Sequence, residues 1–285
     1  MMKELFAEFL KEKRYLCNLS PKTLDSYQQA FNCYVRLGCG TPTKDGLKDF
    51  VVNMRESGLS AGGCNVYIRS INSFLSWLLE SGHIPEPLKI KQLPKPRTVI
   101  KVFSEQHVQA LLKFRPRTQY EWRLHALICL LIDSGTRIDE VLGAKVSGMD
   151  LEQLFIKVLG KGSKERWVPI SIEMRKILWL YTTRHRFKVG DFLFPTKTGG
   201  RLEYHNVLRD LKTLCDDLGI EGVRLSPHGF RHFYSVNFLR RGGDLYRLSK
   251  ILGHTSVKTT EIYLQSMGVE MVQEIHQQLS PLSRY

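Results

Sequence analysis

The sequence predicts a mainly α protein with a small β-sheet, divided into an all-helical N-terminal domain and an α+β C-terminal one. Three observations predict it. Apolar residues recur at helical spacing through residues 1–82. A proline-dense, basic stretch at 83–102 then interrupts every regular pattern. From residue 103 to 285 helical stripes return, but two short strand-like runs joined by a glycine-rich turn break in. The chain of 285 residues is long enough for two ordinary domains, and its 42% hydrophobic content supports real cores.

In the first domain, Ser20-Pro21 reads as a helix start, because serine caps free N–H groups and proline suits the first turn. Leu24, Tyr27, Phe31 and Tyr34 follow at helical spacing, and Leu47, Phe50, Val51 and Met54 form a second stripe. A longer helix starts near Ser60, runs through Cys64, Ile68, Ile71, Leu75 and Leu78, and stops at Gly82. The aromatic residues here are assigned to core rather than to contact with bases. The next stretch, HIPEPLKIKQLPKPR, holds Pro85, Pro87, Pro94 and Pro96 among Lys89, Lys91, Lys95 and Arg97. Prolines at this density favour an extended strap. It reads either as a solvated linker or as a basic segment lying along a DNA backbone.

In the second domain, helices are expected over 104–113, 121–133, 171–186 and 203–218. The strand-like runs are Leu154 to Leu159 and Glu165 to Ile170, joined by the hairpin Gly160-Lys161-Gly162-Ser163-Lys164. Ser226-Pro227 opens another helix that Gly242-Gly243 ends, and Asp244 to Leu252 is a further helix closed by Gly253.

The net charge of +14 favours a polyanionic partner, of which nucleic acid is the commonest. No run of about 18 apolar residues occurs, so no membrane span is expected. The charged opening MMKELFAEFLKEK lacks the apolar centre of a signal peptide, which implies a cytoplasmic protein. The six cysteines, with no CxxC pair, read as free thiols.

Four segments carry the chemistry: SGTRIDEVLGA with Arg137 and Glu140, GKGSKER with Lys161, SPHGFRH with His228 and Arg231, and LGHTSVKTTEIYL with His254 and Tyr263. Each has a plain reading alone. Arg137 with Glu140 fits a surface ion pair, Lys161 a solvated turn lysine, His228 a helix-start contact and Tyr263 a core tyrosine. His228 and His232 have a metal-ligand spacing, but Gly229 stands where the HExxH pattern needs glutamate, so neither metal nor cofactor is expected.

Together, in this order and at these spacings, the segments resemble the tyrosine recombinase family, which includes phage integrases and Xer recombinases. The resemblance spans nearly the whole chain. LSPKTLDSYQQAF looks like the family's helical core-binding (SAM-like) domain, and residues 103–285 like its catalytic domain. The chain would begin directly at the core-binding domain, with no room for the arm-binding domain of larger phage integrases. The family's catalytic set falls here on Arg137, Lys161, His228, Arg231, His254 and Tyr263.

Chemistry explains these residue types. A phosphodiester is anionic, so attack on it by another oxygen must be assisted electrostatically. Two arginines can fork onto the non-bridging oxygens and stabilise the five-coordinate transition state, with no metal required. Tyrosine, weak at its free pKa of about 10, needs a proton acceptor such as His228 and a cationic surround. Lys161 matches the family's general acid for the leaving 5′ oxygen, and His254 a hydrogen-bond partner of a phosphate oxygen. The resemblance implies a 3′-phosphotyrosyl intermediate, double-stranded DNA with paired inverted half-sites, and a tetramer on that DNA. The alternatives are a catalytically inactive DNA-binding regulator of the same fold and a type IB topoisomerase-like enzyme. In the tail, residues 268–279, Val269, Val272, Ile275 and Leu279 form one apolar stripe. It packs on its own domain or, as the resemblance suggests, docks on a neighbouring protomer as an exchange helix.

Overall fold

The computed structural model describes residues 2–37, 40–94, 103–160, 164–254 and 256–265, with 273, 276, 277, 280 and 282 beyond them. The chain divides into two compact units, Met1–Thr98 and Val99–Tyr285.

Among its described residues the first unit is four helices: α1 Met2–Tyr15, α2 Pro21–Arg36, α3 Lys44–Glu56 and α4 Ala61–Glu80. Ser20, Thr43 and Ser60 each place a side-chain oxygen on the N–H three residues on, satisfying a donor that the helix leaves free. The apolar stripes read from the sequence face inward. Phe31, Tyr34, Phe50, Met54, Cys64, Ile68, Ile71, Leu75 and Leu78 are all buried. The centre is aromatic: Phe6 stacks on Phe31 at 3.9 Å, and Phe74 meets Phe6 edge-on at 5.1 Å. These rings are core, and each fully buried one contributes about 1.5–3 kcal/mol.

Residues 83–94 form no helix, and the last of them are tied to α4. Asn72 donates from Nδ2 to the Ile90 carbonyl (2.9 Å) and accepts the Ile90 N–H on Oδ1 (2.8 Å). Asn65 makes the same pair of bonds with Leu93, both at 2.8 Å. Each side-chain amide thus imitates the two-bond exchange of an antiparallel strand pair. Ile90 is buried, and its neighbours Lys89 and Lys91 are exposed. Lys95 and Arg97 lie outside the described residues.

The second unit has helices α5 Glu105–Lys113, α6 Gln119–Ser134, α7 Ile138–Leu142, α8 Ile172–Leu180, α9 Tyr204–Asp217, α10 Pro227–Arg240, α11 Leu245–Leu252 and α12 Lys258–Gln265. Its sheet is β1 Met149–Asp150, β2 Phe155–Leu159 and β3 Glu165–Pro169, antiparallel in the order β1-β2-β3. β2 and β3 pair from Phe155↔Pro169 to Leu159↔Glu165, so the expected hairpin forms. Lys161, between the two strands in sequence, is outside the described residues. α6 runs through the core, with every residue from Ala126 to Leu131 buried. A smaller cluster of Leu239, Leu248 and Leu252 gathers Tyr234, Phe238 and Tyr263 and packs α10, α11 and α12 together.

Cys17, Cys33, Cys64, Cys129 and Cys215 are unpaired and all but Cys17 are buried, whereas Cys39 lies outside the described residues. Among the described residues no helix is long and apolar enough to cross a membrane. The tail stripe at 268–279 falls almost wholly outside them.

Candidate active site

The site is built around two helix ends. Gly135 closes α6 in the left-handed conformation, φ +61°, and a Cβ there would stand 2.4 Å from the Tyr234 ring. Only glycine fits. The turn it makes delivers Arg137 to the N-cap of α7. One turn on, Glu140 accepts the Arg137 N–H at 2.8 Å and Arg137 Nη1 at 3.2 Å.

The second end is the C-terminus of α11, where Gly253 is again left-handed, φ +64°. The last carbonyls of a helix lack helical donors and carry the negative end of its dipole. Guanidiniums converge on them. Arg166 Nη1 donates to Ile251 O at 2.8 Å and Arg231 Nη2 to Leu252 O at 2.9 Å. Arg137 reaches Leu252 O and Gly253 O, both at 3.4 Å. Arg231, from α10, also donates to Gly135 O at 2.9 Å and so joins the two ends. The carbonyls offset part of the repulsion among three like charges.

Arg231 Nη2 lies 2.7 Å from His254 Nε2, and His254 Nδ1 lies 2.8 Å from Thr260 Oγ1. A guanidinium can only donate. Nε2 therefore accepts, the ring proton sits on Nδ1, and Nδ1 donates to Thr260. Burial first, then the charges of Arg231, Arg137 and Arg166, push the His254 pKa down to about 4. His228 opens α10 above its Ser226 cap and is also held low, by burial and then by the Arg231 charge. Both imidazoles are neutral near pH 7. Tyr263, on α12, sits edge-on to His232 at 5.3 Å and nearly parallel to His254 at 6.5 Å. Its hydroxyl is a hydrogen-bonding partner of Arg231.

The structure thus gathers Arg137, Arg231, His254 and Tyr263, with His228 one turn from Arg231. Two participants, Arg166 and Thr260, were not singled out from the sequence, and a third, Glu140, has a different place from the one its spacing suggests. Glu140 is no surface partner of Arg137. It is 2% exposed and shared with Arg166, whose Nε and Nη2 reach its two oxygens at 3.2 and 2.8 Å. Burial pushes the Glu140 carboxyl up, but the hydrogen bonds and charge of Arg166, with those of Arg137, outweigh it and hold the group below its usual range. Arg166 and Thr260 lie within quoted segments, but the groups they meet come from distant parts of the chain or have no periodic signature.

The phage integrase family matches residues 101–268 of this chain. The tyrosine recombinase XerD of Oceanobacillus iheyensis is 30% identical over 282 residues, covering 91% of this chain and 92% of that protein. Among solved structures, the Tn1549 transposon integrase in complex with transposon right-end DNA has a TM-score of 0.78 at 18% identity, over 97% of this chain and 98% of that one. The XerH site-specific recombinase bound to palindromic difH substrate, in a post-cleavage complex, has a TM-score of 0.73 at 17% identity, over 97% of this chain and 84% of that one. Both structures share the fold. The chain belongs to the phage integrase family, that of the tyrosine recombinases.

Proposed function

We propose that this enzyme, a Xer-like site-specific recombinase, cleaves and rejoins DNA through a 3′-phosphotyrosyl bond to Tyr263. The observation that carries the reading is the convergence of Arg137 and Arg231 on the end of α11, where Arg231 also meets His254 and Tyr263, from segments far apart in the sequence. Arg137 and Arg231 hold the non-bridging oxygens of the scissile phosphate and stabilise the charge that grows in the transition state. Neutral His228 accepts the proton of the Tyr263 hydroxyl. His254 donates to a phosphate oxygen. To do so it must carry a proton on Nε2, so the ring changes tautomer, or is protonated, when the anion meets Arg231. Lys161 protonates the leaving 5′ oxygen. The O–P bond broken is replaced by the phenolic O–P bond, which keeps its energy. A second strand's 5′-hydroxyl then attacks the link, releases Tyr263 and reseals the DNA.

The partner in this reading is double-stranded DNA with paired inverted half-sites, which the helical domain, 1–82, and the catalytic domain, 103–285, each contact. Lys89, Lys91, Lys95 and Arg97 of the 83–102 strap lie along the backbone. The exposure of Lys89 and Lys91 beside the anchored Ile90 supports that role. The exchange helix 268–279 links four protomers on DNA. A cleft of about 490 Å³ lined by Val108, Leu112, Ile132, Phe233 and Phe238 offers an apolar seat for such a stripe. The reaction serves integration and excision of a mobile element or Xer-like resolution, in the cytoplasm at the nucleoid.

The test uses supercoiled plasmids with two copies of an inverted-repeat site selected for binding. Recombinant circles support the reading. Relaxed circles alone would mean topoisomerase action, and binding without either product an inactive regulator.

A further inference from the structure

We propose that Arg166 is a positioning residue for cleavage: it takes up the Glu140 carboxylate so that Arg137 keeps its charge for the scissile phosphate. The inference rests on the reading of Arg137 as a phosphate clamp, and it goes beyond the six residues of that reading.

The geometry begins with Glu140. Its side chain is 3% exposed and its oxygens face two guanidiniums, Arg137 at 3.2 Å and Arg166 at 2.8 Å. The two contacts differ in kind. Arg166 grips with Nε on one oxygen and Nη2 on the other, the two-pronged geometry that makes arginine–carboxylate pairs strong. Arg137 gives Glu140 only Nη1 and its backbone N–H. The carboxylate thus fixes where the Arg137 backbone sits, while its charge is taken up chiefly by Arg166.

The consequence is electrostatic. A single arginine paired with a buried glutamate is a neutral couple with little pull on an anion. Three guanidiniums, Arg137, Arg166 and Arg231, set against one carboxylate leave two positive charges at the site. A phosphodiester carries one negative charge and approaches a second as the phenolic oxygen adds. The excess supplied by Arg166 matches that demand. Removing Glu140 instead would leave Arg137 without the acceptor that aims it. The arrangement needs both residues: one orients, the other cancels the cost of orienting.

Arg166 is also placed to stay put. Its third prong donates to Ile251 O at 2.8 Å, and it stands on β3, where it pairs with Val158 of β2. The left-handed Gly253 passes close by, and a Cβ there would stand 3.0 Å from Arg166 Nε. The strand that follows the Lys161 turn is thereby pinned to α7 and to the end of α11.

The experiment measures cleavage on a site nicked beside the scissile phosphate, so that the covalent adduct accumulates, with site binding and thermal unfolding followed in parallel. R166M is expected to slow adduct formation while binding changes little. Partners that orient a reacting group without touching substrate, best measured at metal sites, count for about 10–100-fold. The deciding comparison is the double variant E140Q/R166M. If Arg166 acts by absorbing the Glu140 charge, removing that charge restores much of the lost rate. If Arg166 only braces the hairpin, the double variant is as slow as R166M or slower. A second readout uses a methylphosphonate at the scissile position, which removes one negative charge from the substrate. The R166M defect should shrink on it, as the R137A defect should, whereas a bracing role leaves the ratio unchanged. Should R166M not fold, R166K with and without E140Q carries the same comparison. Wild-type cleavage by R166M, or no suppression by E140Q, overturns the proposal. Wild-type cleavage by R137A overturns the clamp reading instead.

Discussion

Among the described residues, the buried polar side chains of the first unit are Asn65 and Ser70, whereas those of the second include Arg123, Glu140, Arg186 and Arg231. The first unit closes over stacked rings, Phe6 on Phe31 and Phe74 against both. The second buries charge, and each of its buried arginines ends on backbone carbonyls: Arg123 on Pro195, Arg186 on Phe192, Arg231 on Gly135 and Leu252. A buried charge is tolerated only when it is paired and hydrogen-bonded. The difference teaches where the chain spends its folding energy. Apolar packing has no titrating group and stabilises with little regard to pH. The charged cluster stands only as a set, and it holds cations together where an anion is to be handled.

The comparison breaks most visibly at Arg231. Arg231→Ala should cut the rate of covalent cleavage by about 10²–10³, the usual effect of losing one donor to a developing oxyanion. Affinity for the site should change far less, because many other phosphate contacts remain. A single-turnover assay on nicked DNA, beside a binding titration, separates the two. A parallel loss in both would make Arg231 a binding residue only.

Phe9→Ala tests the other side. The ring is fully buried, and its loss should cost about 3–5 kcal/mol in urea unfolding. The cleavage rate of protein already bound to DNA should be unaffected. A variant whose chemistry slows in step with its stability would show that the aromatic core also shapes the site.

The smallest effect is a pH dependence of stability to which the second unit's cluster contributes. His254 has a folded pKa lowered from 6.5 to about 4, so the unfolded chain binds its proton more readily. Stability is therefore fully present above pH 6.5 and falls as pH drops toward 4. His228 and His232, both lowered chiefly by burial, act in the same direction. Urea midpoints measured through this window should decline, and His254→Asn should flatten part of the decline. An unchanged slope in that variant would show that the ring's proton is not coupled to folding.

What was legible in the sequence was local. Ser20-Pro21, Ser60 and Ser226-Pro227 announce helix starts through residues that touch within one turn, and the stripes of α2, α3 and α4 face the core as read. The hairpin of β2 and β3 was legible from its turn and flanks. What was not legible is spatial. Arg166 meets Ile251 85 residues away, and Arg137 meets Leu252 across 115. Glu140, three residues from Arg137, looks like a surface partner until β3 closes over it. α7 has five residues, too few for a period to show, and β1 only two. Asn65 and Asn72 interrupt an apolar helix face with no local signal that their amides catch Ile90 and Leu93.

The most direct measurement is whether DNA becomes joined to Tyr263. Wild-type protein and Tyr263→Phe are each incubated with a site nicked beside the scissile phosphate, and the products are resolved on a denaturing gel. The wild type should give a protein–DNA adduct whose DNA maps, after proteolysis, to the peptide containing Tyr263. The Phe variant should bind the site nearly as well and give no adduct, since the substitution removes only the phenolic oxygen. An adduct formed by Tyr263→Phe, or one mapped to another residue, would contradict the account.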